Sequence, residues 1–235
     1  MIVKRENGTY ASSLFSDLSV TAGFTTKEAG DMRDRSRILA ILPSSLHNAY
    51  THQCHSVDIV THNSSVDTTE IRADGILTKE SDTILSILTA DCVSMLFATE
   101  EGWIGASHQG WVGSLANMAG KMIQELKDKG CSSQKMRVMI GPSIGLCCYT
   151  IPSDRARQFI DTYPTYEKEI LSRERDVYRL NLLKLNYLQL RDAGIDGGHI
   201  DCFPFCTSCD QNRFYSFRRD GMIRGEIASY IYRHA

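Results

Sequence analysis

Apolar and polar positions follow a spacing of two in some stretches and of three or four in others, and the changes mark out elements. Residues 20–25 (VTAGFT) read as a short strand entering a loop. Residues 31–42 (DMRDRSRILAIL) space their apolar side chains as a helix does, and Pro43 ends the run. Residues 56–62 alternate and predict a strand, and 73–78 (ADGILT) open on an Asp-Gly turn signal. Three strand-like runs follow, 83–90, 92–99 and 103–108. Glu100-Glu101-Gly102 predicts a tight hairpin between the second and third.

The clearest helix is predicted over 114–130. Ser114 can cap it, Leu115, Met118, Met122, Ile123 and Leu126 form one face, and Gly130 ends it. Residues 135–141 predict a buried strand, and 153–163 and 181–194 predict helices, the second closed by Gly194. Residues 199–205 and 213–219 are strand-like, and the tail 225–235 (GEIASYIYRHA) predicts a closing helix. Strands and helices mix without strict alternation, which favours an α+β fold with a mixed sheet packed in layers.

Composition narrows the classes. The 235 residues are 42% hydrophobic and 23% charged, the balance of an ordinary globular protein. A net charge of −2 gives no basic footprint for nucleic acid. No repeat, low-complexity stretch or linker divides the chain, so one domain over 1–235 is expected. The longest apolar runs are too short or too interrupted to span a membrane. The first residues lack the apolar core of a signal peptide, and the expected location is cytoplasmic. In a reducing compartment the eight cysteines are metal ligands, nucleophiles or buried thiols rather than disulfides. Cys54, Cys131, Cys147 and Cys148 read as core or incidental thiols.

Three residues with metal-binding chemistry sit beside strand-like runs: His55, Cys92 and His108. Their separations exceed those of a zinc-finger module, where ligands come in close pairs, and fit a catalytic zinc held from separate strands with one position open. A lone imidazole at a strand end is more often a hydrogen-bonded structural residue than a ligand. Cys92 beside a metal or a histidine is also a competent nucleophile. The turn His108-Gln109-Gly110-Trp111-Val112-Gly113 leads into a helix start that suits an anion; alternatively, its glycines simply turn the chain while Trp111 plugs the core. Cys202, Cys206 and Cys209 include a C-x-x-C pair, with His199 as the nearest fourth ligand, and buried or loop thiols are the favoured reading.

Several ordered motifs carry a resemblance: TADCVSMLF, GASHQGWVGS, IGPSIGLCCY and CTSCDQNRFYSFRRDG, with THQCHS similar to a Gln-x-His-Gly signature. Together they resemble the family first described as a multicopper polyphenol oxidase, or laccase-like, domain. That family was later described as the YfiH-type purine nucleoside phosphorylases with adenosine deaminase activity. The resemblance runs from about residue 20 to the C-terminus.

It implies a layered α-β-β-α sandwich with mixed sheets, related to hydrolases that use a Cys–His pair. It places His55, Cys92 and His108 at zinc-ligand positions, with copper as the alternative metal. It implies phosphorolysis of adenosine, inosine and 5′-methylthioadenosine and deamination of adenosine, with nucleoside and phosphate as partners. Within that frame Cys92, His108 and Asp91 are the candidate catalytic residues, with Asp74 a second proton carrier. Trp111, Gly113, Arg218 and Arg219 are the candidates for substrate binding.

No nucleic-acid or membrane partner is expected, and the chain is expected to be a monomer or homodimer. The chain departs from the family pattern at Val112, where an arginine is usual, at Ser56, where glycine is usual, and in a shortened stretch after Phe24. Alternative activities are a Cys-dependent amide hydrolase editing peptidoglycan precursors, a copper polyphenol oxidase, and an inactive zinc-stabilised binding protein.

Overall fold

The structure is a computed structural model and describes residues 1–223 and 225–234. The first strands in chain order are β1 (Ile2–Lys4), β2 (Thr9–Ser12), β3 (Val20–Thr25), β4 (His47–Ala49) and β5 (Ile59–Thr61). Next come β6 (Gly75–Thr78), β7 (Thr83–Thr89), β8 (Val93–Ala98), β9 (Ile104–Gln109) and β10 (Arg137–Ile140). The last are β11 (Thr150–Ile151), β12 (Leu171–Glu174), β13 (Val177–Leu180), β14 (Ile200–Cys202) and β15 (Ile227–Arg233). The α-helices are α1 (Ser36–Ile41), α2 (Trp111–Leu115), α3 (Met118–Asp128), α4 (Ser153–Thr162), α5 (Glu167–Ile170), α6 (Leu182–Asp192) and α7 (Phe217–Asp220).

Two six-stranded sheets run in the orders β1-β2-β3-β15-β7-β4 and β14-β10-β8-β9-β6-β5, and β11-β13-β12 forms a small third sheet. Both large sheets are mixed: β4 with β7, β5 with β6 and β10 with β14 are parallel, and the other pairs are antiparallel. The sheets face each other across a core that includes Phe24, Leu85, Ile87, Leu96, Ala106, Met139 and Ile231. A second core lies between the β8–β10 sheet and helices α3, α4 and α6, built on Met122, Ile123, Leu126, Phe159, Leu185 and Leu190. On the far side, Ile38 of α1 covers Ala228 and Leu88. The layers are therefore α-β-β-α, as expected. The two sheets also meet through a polar pair, Ser94 Oγ and Ser229 Oγ, 2.6 Å apart in a fully buried position. One hydroxyl donates and the other accepts, so neither oxygen is buried without a partner.

The β8–β9 hairpin forms as predicted, with Val93 opposite Gln109. Four expectations are corrected. The tail is strand β15 rather than a helix; it lies between β3 and β7 and is buried on both faces from Ile227 to Tyr232. Residues 213–219 are not a strand: they turn and end in helix α7, with Ser216 accepting a hydrogen bond from Arg219 N. The helix predicted from Ser114 is two helices. Asn117, at φ 56°, breaks the run and caps α3 by accepting from Gly120 N. Ser114 instead sits buried in α2, where its Oγ accepts from Asn186 Nδ2 at 2.8 Å. The helix predicted over 31–42 shrinks to α1, because Asp31 and Asp34 accept from Arg33 N and Ser36 N and hold the preceding residues in turns.

Candidate active site

Asp74 is fully buried just before β6, and it organises the site. Its carboxylate accepts from three consecutive amides, Cys54 N at 3.1 Å, His55 N at 3.1 Å and Ser56 N at 2.6 Å, and from Ser56 Oγ at 3.0 Å. Such a run of N–H groups around an anion needs a left-handed residue, and His55 supplies it at φ 60°. Gln53 ties the same loop to β7 by exchanging two side-chain bonds with the Leu88 backbone, at 2.8 and 2.9 Å.

The other partner of Asp74 is His108, near the end of β9. His108 Nδ1 lies 2.7 Å from Asp74 Oδ1, and His108 N donates to the Asp74 carbonyl at 2.8 Å. One carboxylate thus positions both imidazoles. Their ring centroids are 4.7 Å apart with planes at 70°. With Nδ1 engaged, His108 offers Nε2 outward, the arrangement in which an imidazole ligates a metal while its other nitrogen is oriented by a carboxylate. Cys92, just before β8, completes the group: one ligand atom each from His55, Cys92 and His108 lies within 4.8 Å of the others. Gly110 is required by this closeness, because a Cβ there would collide with His55 Nδ1.

The electrostatics favour a cation. Burial raises the affinity of Asp74 for a proton, but the hydrogen bond and charge of His108 outweigh it and hold the carboxyl well below the usual range. Burial opposes charge on His108, yet the neighbouring Cys92 and Asp74 push its imidazole up to about 10. Partial desolvation on the cavity side and the neighbouring His108 lower His55, against the pull of Asp74. Two nitrogens and one sulfur beside a buried carboxylate therefore fit a divalent transition metal in charge and in ligand type. His108 is buried, Cys92 half-buried and His55 exposed, so the group opens toward solvent on the His55 side.

Two cavities meet there, sharing His55, Ala90 and Cys92. One, of about 390 Å³, is walled by Trp111, Ile144, Tyr149, Leu182 and Phe217, with Arg155 and Arg218 at its border. The other, of about 330 Å³, is more polar and includes Arg35, Tyr50, Gln53 and Glu226.

The remaining residues singled out from sequence divide. Trp111 and Arg218 border the larger cavity, and Arg218 bonds Thr150 Oγ1 at 2.7 Å and Thr150 O at 2.9 Å. Asp91 borders it too, at φ 96°, while its carboxylate accepts from Thr207 Oγ1 at 2.6 Å, Ser216 Oγ at 3.0 Å and Arg218 N at 2.7 Å. Gly113 lies inside α2 beside the Ser56 and His108 carbonyls. Arg219 points away: its guanidinium bonds Asp220 and the carbonyls of Thr207, Ser208 and Phe214. Val112 is exposed and borders neither cavity.

Comparison with known proteins decides the family. A family model described as multi-copper polyphenol oxidoreductase laccase matches residues 1–234. The chain belongs to this laccase-like family. It is 35% identical over 162 residues to purine nucleoside phosphorylase YlmD of Geobacillus stearothermophilus, covering 67% of this chain and 59% of that protein. The matched part thus spans under two-thirds of that relative's length. It is 25% identical over 191 residues to adenosine deaminase RL5 from an unknown prokaryotic organism, covering 78% of this chain and 72% of that one. The crystal structure of YlmD from G. stearothermophilus superposes with a TM-score of 0.86 at 28% identity, covering 100% and 99% of the two chains. The Bacillus licheniformis hypothetical protein YfiH does so with 0.90 at 26%, covering 99% and 98%.

Within this family fold, sequence reasoning missed the second cation. Arg155 of α4 stacks on Trp111 with its guanidinium carbon 4.1 Å from the ring centroid. Nothing in the spacing of α4 distinguishes it from a surface arginine. Tyr149 was also missed; burial pushes its hydroxyl up, against the opposing influence of Arg155. Arg35, half of a 3.9 Å stack on Tyr50, has the sequence context of an ordinary helix residue; burial lowers it to about 10.

Proposed function

We propose that the chain is a zinc-dependent purine nucleoside enzyme that splits adenosine, inosine and 5′-methylthioadenosine with phosphate and also deaminates adenosine. The observation that carries this reading is the placement of the His55–Cys92–His108 group at the junction of two cavities, one of them aromatic-walled and bordered by two arginines. Its volume of about 390 Å³ lies in the range of roughly 300–1,000 Å³ that holds small organic ligands. Relatives named as a purine nucleoside phosphorylase and an adenosine deaminase support the same class.

His55, Cys92 and His108 Nε2 would hold the ion, and a zinc ion there supplies Lewis-acid polarisation. Asp74 keeps His108 in the tautomer that leaves Nε2 free. Trp111 and Tyr149 offer faces for the purine. Arg155 and Arg218 balance the charge of phosphate as one of its oxygens forms the new bond at C1′ and the glycosidic C–N bond breaks, its electron pair leaving with the base. In deamination a water oxygen joins C6 and ammonia departs, and Asp91, on the cavity border, is the carboxylate offered to move the proton. Trp111, at the start of α2, shapes the cavity rather than charging it.

A second reading is favoured by one contact. Cys92 lies beside His108, which Asp74 orients, and nucleophile, base and orienting carboxylate together suit an amide hydrolase. One experiment separates the two. Zinc-loaded protein is incubated with adenosine, with and without phosphate, and the products are resolved by chromatography. Adenine with ribose 1-phosphate in the presence of phosphate, and inosine in its absence, are expected. Unchanged adenosine in both, together with cleavage of a peptidoglycan-precursor amide, would replace the first reading with the second.

A further inference from the structure

A second cluster of soft ligands lies outside the site described above. Cys147 and Cys148 sit in the turn after β10, and Cys206 and Cys209 sit after β14. Sequence spacing separates these four, leaving the first two as incidental thiols and grouping the others with Cys202 and His199. The fold regroups them: the four sulfurs all lie within 4.8 Å of one another. Cys202 is not in this group; it lies at the end of β14, where burial pushes its thiol up to about 11.

We propose that Cys147, Cys148, Cys206 and Cys209 bind a structural zinc ion as a tetrathiolate, distinct from the His55–Cys92–His108 group. Four thiolates around zinc at about 2.3 Å place neighbouring sulfurs about 3.8 Å apart. Cys209 Sγ is 3.5 Å from Cys147 Sγ and 3.3 Å from Cys148 Sγ, already near that spacing. A disulfide would need one dedicated pair at about 2.05 Å, whereas Cys209 is shared between two neighbours.

The backbone is arranged to support thiolate charge. Gly145 N donates to Cys206 Sγ at 3.1 Å. Amides pointing at sulfur are the outer support that metal-bound thiolates need. Binding releases the thiol protons to solvent as the four Zn–S bonds form.

The ion would staple two loops that build the larger cavity. The first carries Ile144 and Tyr149. The second carries Thr207, which holds Asp91 and whose amide bonds the Ser143 carbonyl at 3.0 Å. Arg219 adds to the clamp by bonding the carbonyls of Thr207 and Ser208.

The test is metal counting on the full chain purified under reducing conditions. With the first group filled, wild type is expected to hold about two zinc ions. The double variant C147S/C209S and the variant C92A should each lose about one. If C147S/C209S does not fold, cobalt loading of the wild type decides: intense sulfur-to-cobalt charge transfer, of tetrathiolate strength and retained in C92A, is expected. Wild-type zinc content in folded C147S/C209S, no such band in cobalt-loaded C92A, or a disulfide among these cysteines in reduced wild type would each overturn the assignment. Zinc counts do not depend on turnover, so a failure of the nucleoside assay leaves this result readable.

Discussion

Replacing Asp74 by asparagine tests the device that brings the two imidazoles together. The carboxylate now accepts with both oxygens: Oδ1 from His108 and His55 N, and Oδ2 from Cys54 N, Ser56 N and Ser56 Oγ. The carboxamide of D74N can keep only one of these faces. If its oxygen stays toward His108, its amide nitrogen confronts the N–H groups of Cys54 and Ser56. Each unsatisfied buried donor costs about 1–3 kcal/mol, so the pair costs about 2–6 kcal/mol. If the amide flips, one backbone donor is lost, and His108 Nδ1 has to accept rather than donate. The ring proton then moves to Nε2, and that nitrogen has no lone pair for a metal.

The chain has to lose stability, metal affinity or both. Weakening of metal binding by about 10–100-fold is expected where such an orienting carboxylate is altered. In a chain of this size 1 kcal/mol moves Tm by about 2–4 °C, so the unflipped form should melt roughly 4–24 °C lower. The assays are calorimetry of the metal-free D74N protein and a chelator competition for zinc. A metal-free Tm within a degree of wild type, together with unchanged zinc affinity, would refute the account of Asp74 as the organising residue.

Other expectations follow from the same geometry. R155A and R218A each remove a cation from the border of the larger cavity; with charge-assisted bonds worth about 1.5–3 kcal/mol, kcat/KM for phosphorolysis should fall roughly 10- to 150-fold while deamination changes little. Equal losses in both reactions would argue against a phosphate role. I231A hollows the interface between the large sheets, where Ile231 is fully buried, and should cost about 2–5 kcal/mol by urea denaturation; a loss under 1 kcal/mol would contradict that packing. N117A loses the α3 cap and leaves a β-carbon residue at φ 56°, which should cost about 1–2 kcal/mol, and N117G should recover part of it. For pH, His108 binds a proton more tightly than usual and has to release it to ligate, so zinc affinity should rise with pH. Dialysis from about pH 8 to about pH 5 should therefore release zinc, and retention would count against imidazole ligation.

Elements with strong local patterning were legible in the chain. β7, β8 and β9 carry β-branched and apolar runs bounded by turn residues, and α4 and α6 carry a clean helical stripe ended by polar residues or Gly194. Cys92 and His108 stand near the ends of β8 and β9, whereas His55 sits in a loop before β5, and it was the motif resemblance rather than spacing that grouped the three. Strand β15 was not legible. Ile227, Tyr230 and Ile231 satisfy helical spacing as well as they fill a doubly buried strand, and what decides is pairing with β3 and β7 from far earlier in the chain. The break at Asn117 was hidden for a related reason: the apolar face continues across it, while Ser114 is drawn to Asn186 on α6.

Arg155 and the four-cysteine group depend on loops meeting across the fold. Cys148 and Cys206 are far apart in sequence, so spacing could not pair them, and the C-x-x-C motif pointed to the nearer but wrong companions. Asp74 lay in an Asp-Gly turn signal that says nothing of burial. Its importance emerges only when the loop carrying His55 folds over it.

The central claim is that one metal ion is held jointly by His55, Cys92 and His108. Anomalous diffraction at the zinc edge from crystals of the zinc-loaded chain tests it most directly. The account predicts a peak about 2.0–2.1 Å from His108 Nε2 and from a His55 ring nitrogen, and about 2.3 Å from Cys92 Sγ. Full zinc occupancy elsewhere with no peak between these three side chains would contradict it.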